Sequence, residues 1–162
     1  MREWGRPTIS VRPAEVGDSD LLSEMHTAAF RRGWSGAEFE SLLVQPGTEA
    51  LIADYRNALG RRIAAGFILY RRVIDEAEIL SVAVVPECRR RGIGKRLLEE
   101  ALRTLYRDGV RGIHLEVEDA NHAAIALYRG MEFRESGKRV GYYSQGRSDA
   151  AGGALVMLRQ LR

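Results

Sequence analysis

Ser81-Val-Ala-Val-Val-Pro-Glu-Cys-Arg-Arg-Arg-Gly-Ile-Gly-Lys-Arg-Leu-Leu98 passes from an apolar strand, through a glycine-broken and arginine-dense turn, into an amphipathic helix. Val82 to Val85 have the β-branched or small side chains of a buried strand, and Pro86 stops it. Gly94, Leu97, Leu98, Ala101, Leu102 and Leu105 then recur at helical spacing. Arg89, Arg90, Arg91, Lys95 and Arg96 crowd the start of that helix, where the macrodipole is already positive. The placement is unfavourable unless an anion sits there. Free N–H groups at a helix start, glycines that permit close approach and arginines together make an anion site. The turn reads as a grip on a phosphate-bearing ligand; a solvated basic helix start with two turn glycines is the plainer alternative.

Known phosphate loops narrow the choice. A Walker A loop needs Gly, four residues, then Gly-Lys-Ser/Thr. Here Arg89 stands at the first glycine's place and Arg96 follows Gly94-Lys95. A dinucleotide fingerprint needs a third glycine, where this chain has Leu97. The pattern that fits is Arg/Gln-x-x-Gly-x-Gly/Ala, carried by Arg89, Gly92 and Gly94. It resembles the pyrophosphate loop of the GNAT acetyltransferases, which hold the diphosphate of acetyl-coenzyme A. That resemblance implies acetyl-coenzyme A as cofactor and Arg89, Arg90, Arg91, Gly92, Ile93, Gly94 and Lys95 as residues that bind it.

Composition sets the outer bounds. At 162 residues the chain is expected to be one domain over 1–162, with 1–6 a flexible start. Apolar residues make up 45% and charged residues 29%, the mix of a globular protein. No apolar run approaches the ~18 residues that span a bilayer, and Met1-Arg-Glu-Trp-Gly-Arg-Pro7 has no signal-peptide core. Lone Cys88 excludes an intrachain disulfide and a cysteine-cluster metal site, so a cytoplasmic setting and no metal are expected. Net charge is +3, and of the 25 basic residues only Lys95 and Lys138 are lysine. Codon bias explains this as well as an affinity for anionic partners does.

Periodicity and punctuation place the elements. Thr8–Arg12 alternates as a strand ended by Pro13. Asp18 is placed to cap a helix to about Phe30, with Leu21, Leu22, Met25, Ala28 and Ala29 inward. Gly33 breaks it, Ser35 caps a second helix through Leu43, and Pro46-Gly47 closes that one. Strands follow at 49–55, 62–71 and 76–85, the first two joined by the turn Asn57-Ala-Leu-Gly60. The helix spans 91–107 and stops at Asp108-Gly109. A strand at 113–117, a helix from about Asn121 to Arg129, and strands at 132–143 and 154–161 complete the chain. The order is β-α-α-β-β-β-α-β-α-β-β. Only the unit around the arginine turn demands parallel strands, so the expected fold class is α/β, a mixed twisted sheet with helices on both faces. It agrees with the GNAT fold.

A second constellation is Leu115-Glu-Val-Glu-Asp-Ala-Asn-His-Ala-Ala-Ile-Ala-Leu-Tyr128. Leu115 and Val117 face one side of their strand, so Glu116 faces the other with His114 and Glu118. Asn121 stands at a helix N-cap, and Tyr128 shares a helix face with Ala124 and Ile125. The segment is similar to that of the RimI-like, ribosomal-protein alanine N-acetyltransferase branch of the family. There a strand glutamate is followed five residues on by asparagine and twelve on by tyrosine, and Glu116, Asn121 and Tyr128 keep both spacings. The resemblance implies Glu116 as general base, Tyr128 as general acid, Asn121 as a cofactor contact, and the backbone of Val82, Ala83 and Val84 as the hold on pantetheine and acetyl.

The residue types suit that chemistry. A carboxylate can deprotonate an amine, a strand N–H can stabilise the oxyanion, and a phenol can donate to the departing thiolate. Direct transfer in a ternary complex needs no metal and no covalent enzyme intermediate.

Lys138-Arg-Val-Gly-Tyr-Tyr143 resembles the Arg-x-x-Tyr-Tyr segment that lines the acceptor groove of amino-terminal acetyltransferases, which implies Tyr142 and Tyr143 as substrate residues. The family usually has glycine before the phenylalanine that follows the tyrosine helix; here Glu132 precedes Phe133. The expected reaction is acetyl transfer to a primary amine, foremost the α-amino group of a protein such as a ribosomal protein. A small amine (polyamine, antibiotic or amino acid) is the alternative acceptor. A basic RNA- or ribosome-binding module with a degenerate cofactor site is the alternative of another class. Neither direct nucleic-acid binding nor membrane binding is expected: the basic residues gather at one turn, without the interleaved aromatics of single-strand binders.

Overall fold

The computed structural model describes residues 5–139 and 153–162. Its elements are β1 (Thr8–Pro13), α1 (Ser19–Ala29), α2 (Gly36–Leu43), β2 (Thr48–Arg56), β3 (Arg62–Val73), β4 (Glu76–Val84), α3 (Ile93–Arg107), β5 (Gly112–Glu118), α4 (His122–Gly130), β6 (Arg134–Arg139) and β7 (Ala154–Gln160). The expected order holds. Tyr142 and Tyr143 lie outside the described residues.

The strands form one sheet in the order β1-β2-β3-β4-β5-β7-β6. Among the described strands only β4 and β5 run parallel, joined by the α3 crossover. Adjacent strand residues point to opposite faces, and β3 shows which helices cover which. The Phe67 ring meets those of His26 in α1 and Phe39 in α2. A Cβ on its neighbour Gly66 would instead lie 3.4 Å from Ile93 Cγ2 at the start of α3. So α1 and α2 cover one face and α3 the other. α4 joins α3 there, since a Cβ on Gly94 would sit 3.1 Å from Leu127 Cδ2.

Sequence logic explains most boundaries. Ser35 caps α2 by accepting the Glu38 N–H at 3.1 Å, and Gly109 ends α3 with φ of 86°. Three details differ. Asp18 stands at the N-cap of α1 as expected, but its carboxylate does not bond the helix N–H groups; it accepts the Glu15 N–H at 2.8 Å and an Arg12 N–H at 3.3 Å, closing a 3₁₀ turn over Val16–Asp18. On α1, Ala28 is exposed and His26 is buried instead. Finally, α3 starts at Ile93, not 91, because Arg90 and Gly92 are left-handed, with φ of 63° and 77°.

Candidate active site

The sheet divides in its middle. The β4–β5 ladder runs from Glu76–Gly112 to Ile79–Leu115 and ends there. Beyond it β4 continues to Val84 against β3, and β5 continues to Glu118 against β7. The register of β3 on β4 shifts at the same level: Leu69 pairs with Ser81 but Tyr70 with Ile79, so Leu80 is bulged. Past Ile79, the side of β4 turned toward β5 has no strand partner among the described residues, and Val82, Ala83 and Val84 lie along it. An extended ligand could hydrogen-bond there as an added strand would.

The arginine turn closes one end of this split. From Arg90 to Lys95 no backbone N–H finds an acceptor among the described residues; the first intrahelical bond is Arg96 N–H to the Gly92 carbonyl, at 3.0 Å. Among the described residues no side chain caps α3. A Cβ on Gly92 would meet open space, so this glycine serves the left-handed turn and leaves its backbone exposed. Consecutive bare N–H groups at a helix start suit a diphosphate.

The cations are arranged with economy. Lys95 and Arg96 reach forward to Glu99 and Glu100, at 3.9 and 3.5 Å, which relieves part of the charge conflict at the helix start. Arg89 Nε donates to the Val84 carbonyl at 3.3 Å, tying the turn to the strand. Arg91 turns back to β2, donating to the Tyr55 hydroxyl at 3.1 Å with its guanidinium over that ring. Arg91 therefore anchors the turn.

α4 brings the second constellation to the same split. Asn121 caps it through Oδ1, which accepts the Ala124 N–H at 3.2 Å and leaves its amide hydrogens to donate elsewhere. Leu127 packs where Gly94 has no side chain, setting α4 against the turn. Tyr128 is 8% exposed, with Phe133 edge-on at 5.8 Å. Burial pushes its phenol up to about 12. The end of α4 is a Schellman motif: the N–H groups of Phe133 and Glu132 donate to the carbonyls of Tyr128 and Arg129, both at 3.0 Å. Glu132 occupies its left-handed position with φ of 68°, where glycine is the usual residue. Arg159 of β7 donates to the Met131 carbonyl at 2.8 Å and pairs with Glu132 at 3.2 Å, pinning this end to the sheet.

Glu116 belongs to the opposite face. His114, two residues earlier, lies 4.0 Å from Glu78, which also pairs with Arg71 at 3.0 Å. Arg71 and Leu80 line an open hollow of about 480 Å³ on the α1/α2 face, together with Trp34, Glu38, Ser41 and Leu42. Glu116 shares the face of His114, at the level where β4 and β5 part. Glu116 thus lies at the level of the split on the α1/α2 face, while Tyr128 lies on α4, which packs on the other face. Among the described residues no cluster of His, Cys, Asp and Glu could hold a metal ion. Cys88 is buried, and desolvation raises its thiol pKa.

Several contributors were not singled out from sequence. Tyr55, Leu80 and Leu127 carry no local signal. Gly66 does: a glycine inside a strand marks close backbone approach, and a Cβ there would come 2.5 Å from the Ala83 carbonyl oxygen.

A strand that parts from its parallel neighbour above a bare-amide turn, with a second helix packed on that turn, is the architecture of an acyl-transfer domain of GNAT type. The Acetyltransferase (GNAT) family profile matches residues 19–133, and the chain belongs to that family. It is 42% identical over 88 residues to the [Ribosomal protein bS18]-alanine N-acetyltransferase of Escherichia coli (strain K12), a match covering 53% of this chain and 60% of that protein's length. It is 28% identical over 161 residues to an N-alpha-acetyltransferase of Saccharolobus solfataricus, covering 94% and 93% of the two chains. The crystal structure of the ribosomal-protein-S18-alanine N-acetyltransferase from Escherichia coli superposes with a TM-score of 0.80 at 29% identity, over 94% of each chain.

Proposed function

We propose that this protein transfers acetyl from acetyl-coenzyme A to the amino-terminal α-amino group of a protein, directly and within a ternary complex. The observation that carries the reading is the split between β4 and β5, with the bare-amide turn at one end and Glu116 at the level where the strands part. The relatives named above support an amino-terminal acceptor, and a ribosomal protein is the first to try.

The residues present fit the cofactor. The N–H groups of Arg90 to Lys95 would take the diphosphate, with Arg89 and Arg90 beside it and Arg91 holding the turn. The unpartnered edge at Val82, Ala83 and Val84 would hold the pantetheine, and Asn121 would donate its amide hydrogens. The cofactor supplies an activated acetyl thioester. The acceptor would enter from the α1/α2 face through the hollow beside Leu80. Glu116 takes the proton of the attacking amine, directly or through a water. A strand N–H donates to the carbonyl oxygen as negative charge gathers there. The N–C bond forms and the C–S bond breaks. Tyr128, held protonated by burial, donates a hydrogen bond to the departing sulfur. The phenol then passes its proton to the departing thiolate as general acid and recovers one from solvent.

The test is thiol release from acetyl-coenzyme A with a panel of basic peptides that begin in alanine, and mass spectrometry of the peptide. Acetylated peptide amino termini are expected. Glu116→Gln should lower kcat by roughly a hundredfold or more with coenzyme affinity within about twofold. Equal loss of both would remove Glu116 from the chemistry. Turnover with small amines alone would move the acceptor to that class.

A further inference from the structure

His26 sits on the inner face of α1, only 4% exposed. Trp34 stacks on it at 4.6 Å and 17°, Phe30 lies 4.5 Å away, and Phe39 of α2 and Phe67 of β3 lie at 5.8 and 6.2 Å. Its Nδ1 accepts the backbone N–H of Trp34 at 3.0 Å, so that nitrogen carries no proton. Ser23, one turn earlier on the same helix, donates its hydroxyl to the Trp34 carbonyl at 2.7 Å. Two side chains of α1 thus hold both backbone groups of one residue in the irregular α1–α2 connection. Gly33, just before it, lies so close to Thr27 that a Cβ would overlap the threonine hydroxyl. Trp34 in turn is a wall of the hollow that adjoins the split.

A second proton would make both ring nitrogens donors. Nδ1 would then face the Trp34 N–H donor to donor, inside a cage of rings. Around His26, Phe30 just past α1, Trp34 of the α1–α2 connection and Phe67 of β3 are not titratable, and β4, which also packs on α1, carries Glu76 and Glu78 but neither acts on the ring. α2 presents Phe39 and the charged Glu38, itself on the wall of the hollow.

We propose that His26 is a positioning residue for the acceptor: neutral, it latches the Trp34 wall of the hollow in place, and protonated, it releases it. The proposal rests on the reading of that hollow as the acceptor's entry. Burial disfavours the charged ring more than Glu38 favours it, so the pKa lies below 6.5 and the latch is closed at neutral pH.

Trp4→Phe leaves Trp34 as the one tryptophan, and an imidazolium stacked on an indole quenches its emission. The emission of that variant should fall through one transition, with a midpoint below 6.5. The transition should vanish in Trp4→Phe/His26→Asn, whose Oδ1 can take the place of Nδ1 but cannot be protonated. Every acceptor amine also loses reactivity on acidification, so the kinetic readout is a ratio. The acceptor-peptide KM of the parent over that of the His26→Asn variant should rise several-fold across the midpoint, with the kcat ratio flat. Nitrogen-15 spectra of the unsubstituted protein's histidine rings check the Nδ1 acceptor tautomer should the variant not fold. A flat Trp34 emission, an Nδ1–H tautomer or an unchanged KM ratio overturns the proposal. A titrating Trp34 without peptide turnover keeps the latch and overturns the peptide acceptor instead.

Discussion

Tyr128 shows how one residue's surroundings decide what it can contribute. Buried and facing Phe133, its phenol is pushed up to about 12, which holds it in the protonated form that can donate. Tyr128→Phe should cost about tenfold to a hundredfold in kcat, the worth of one charge-assisted hydrogen bond of ~1.5–3 kcal/mol. Melting temperature should change little, because the ring still packs. The kcat profiles of parent and variant should keep the same shape up to about pH 10; a limb present only in the parent would show that the phenol titrates there. Spacing identified Tyr128 in the sequence, but its burial could not be read. His26 illustrates the reverse. Leu21, Leu22, Met25, Ala28 and Ala29 satisfied the helical pattern, and nothing local announced that a histidine would displace Ala28 from the core. What selects it is the Trp34 N–H, contributed by a connection eight residues away.

At the scale of elements, the end of α4 joins sequence to site most directly. The left-handed residue of its Schellman motif is Glu132, and the motif is what folds Phe133 back on Tyr128. Glutamate in that conformation is strained by about 1 kcal/mol relative to glycine, while its exposed pair with Arg159 is worth less. Glu132→Gly should therefore raise the urea midpoint, by about 0.5–1 kcal/mol of stability, with kcat retained; a lower midpoint would show that the Arg159 pair outweighs the strain. The unusual glutamate was legible from sequence, since glycine is the family's habit there. The strand–turn–helix of 81–98 and the caps Ser35 and Asn121 were legible too, because each depends on residues within a few positions. The two-residue delay of α3 was not. It needs the left-handed turn at Arg90 and Gly92, fixed in part by Arg91 reaching Tyr55 far back in the chain.

The whole molecule is organised around one sheet. Buried side chains run without a break from Leu22 in α1 through β3, β4 and α3 to Met157 in β7. We propose that the chain unfolds as one cooperative unit, in which case urea unfolding followed by circular dichroism and by tryptophan emission should give coincident curves. Two separated transitions would divide the chain at the β4–β5 junction. The overall order was legible because parallel strands require a crossover and the remaining connections are short. The depth to which β4 and β5 stay paired was not, since it is set by the Leu80 bulge and the packing on either side of it. This junction has a mechanical side. Among the described residues β1 to β4 and β5 to β7 share backbone bonds only along Asp75–Ile79 and Arg111–Leu115, so they are two leaves on a short hinge. A molecule lying between them acts as a strut, bonded to one leaf and braced against the other. Its binding energy then resists their parting, and the protein should be hardest to pull apart when it is loaded for work.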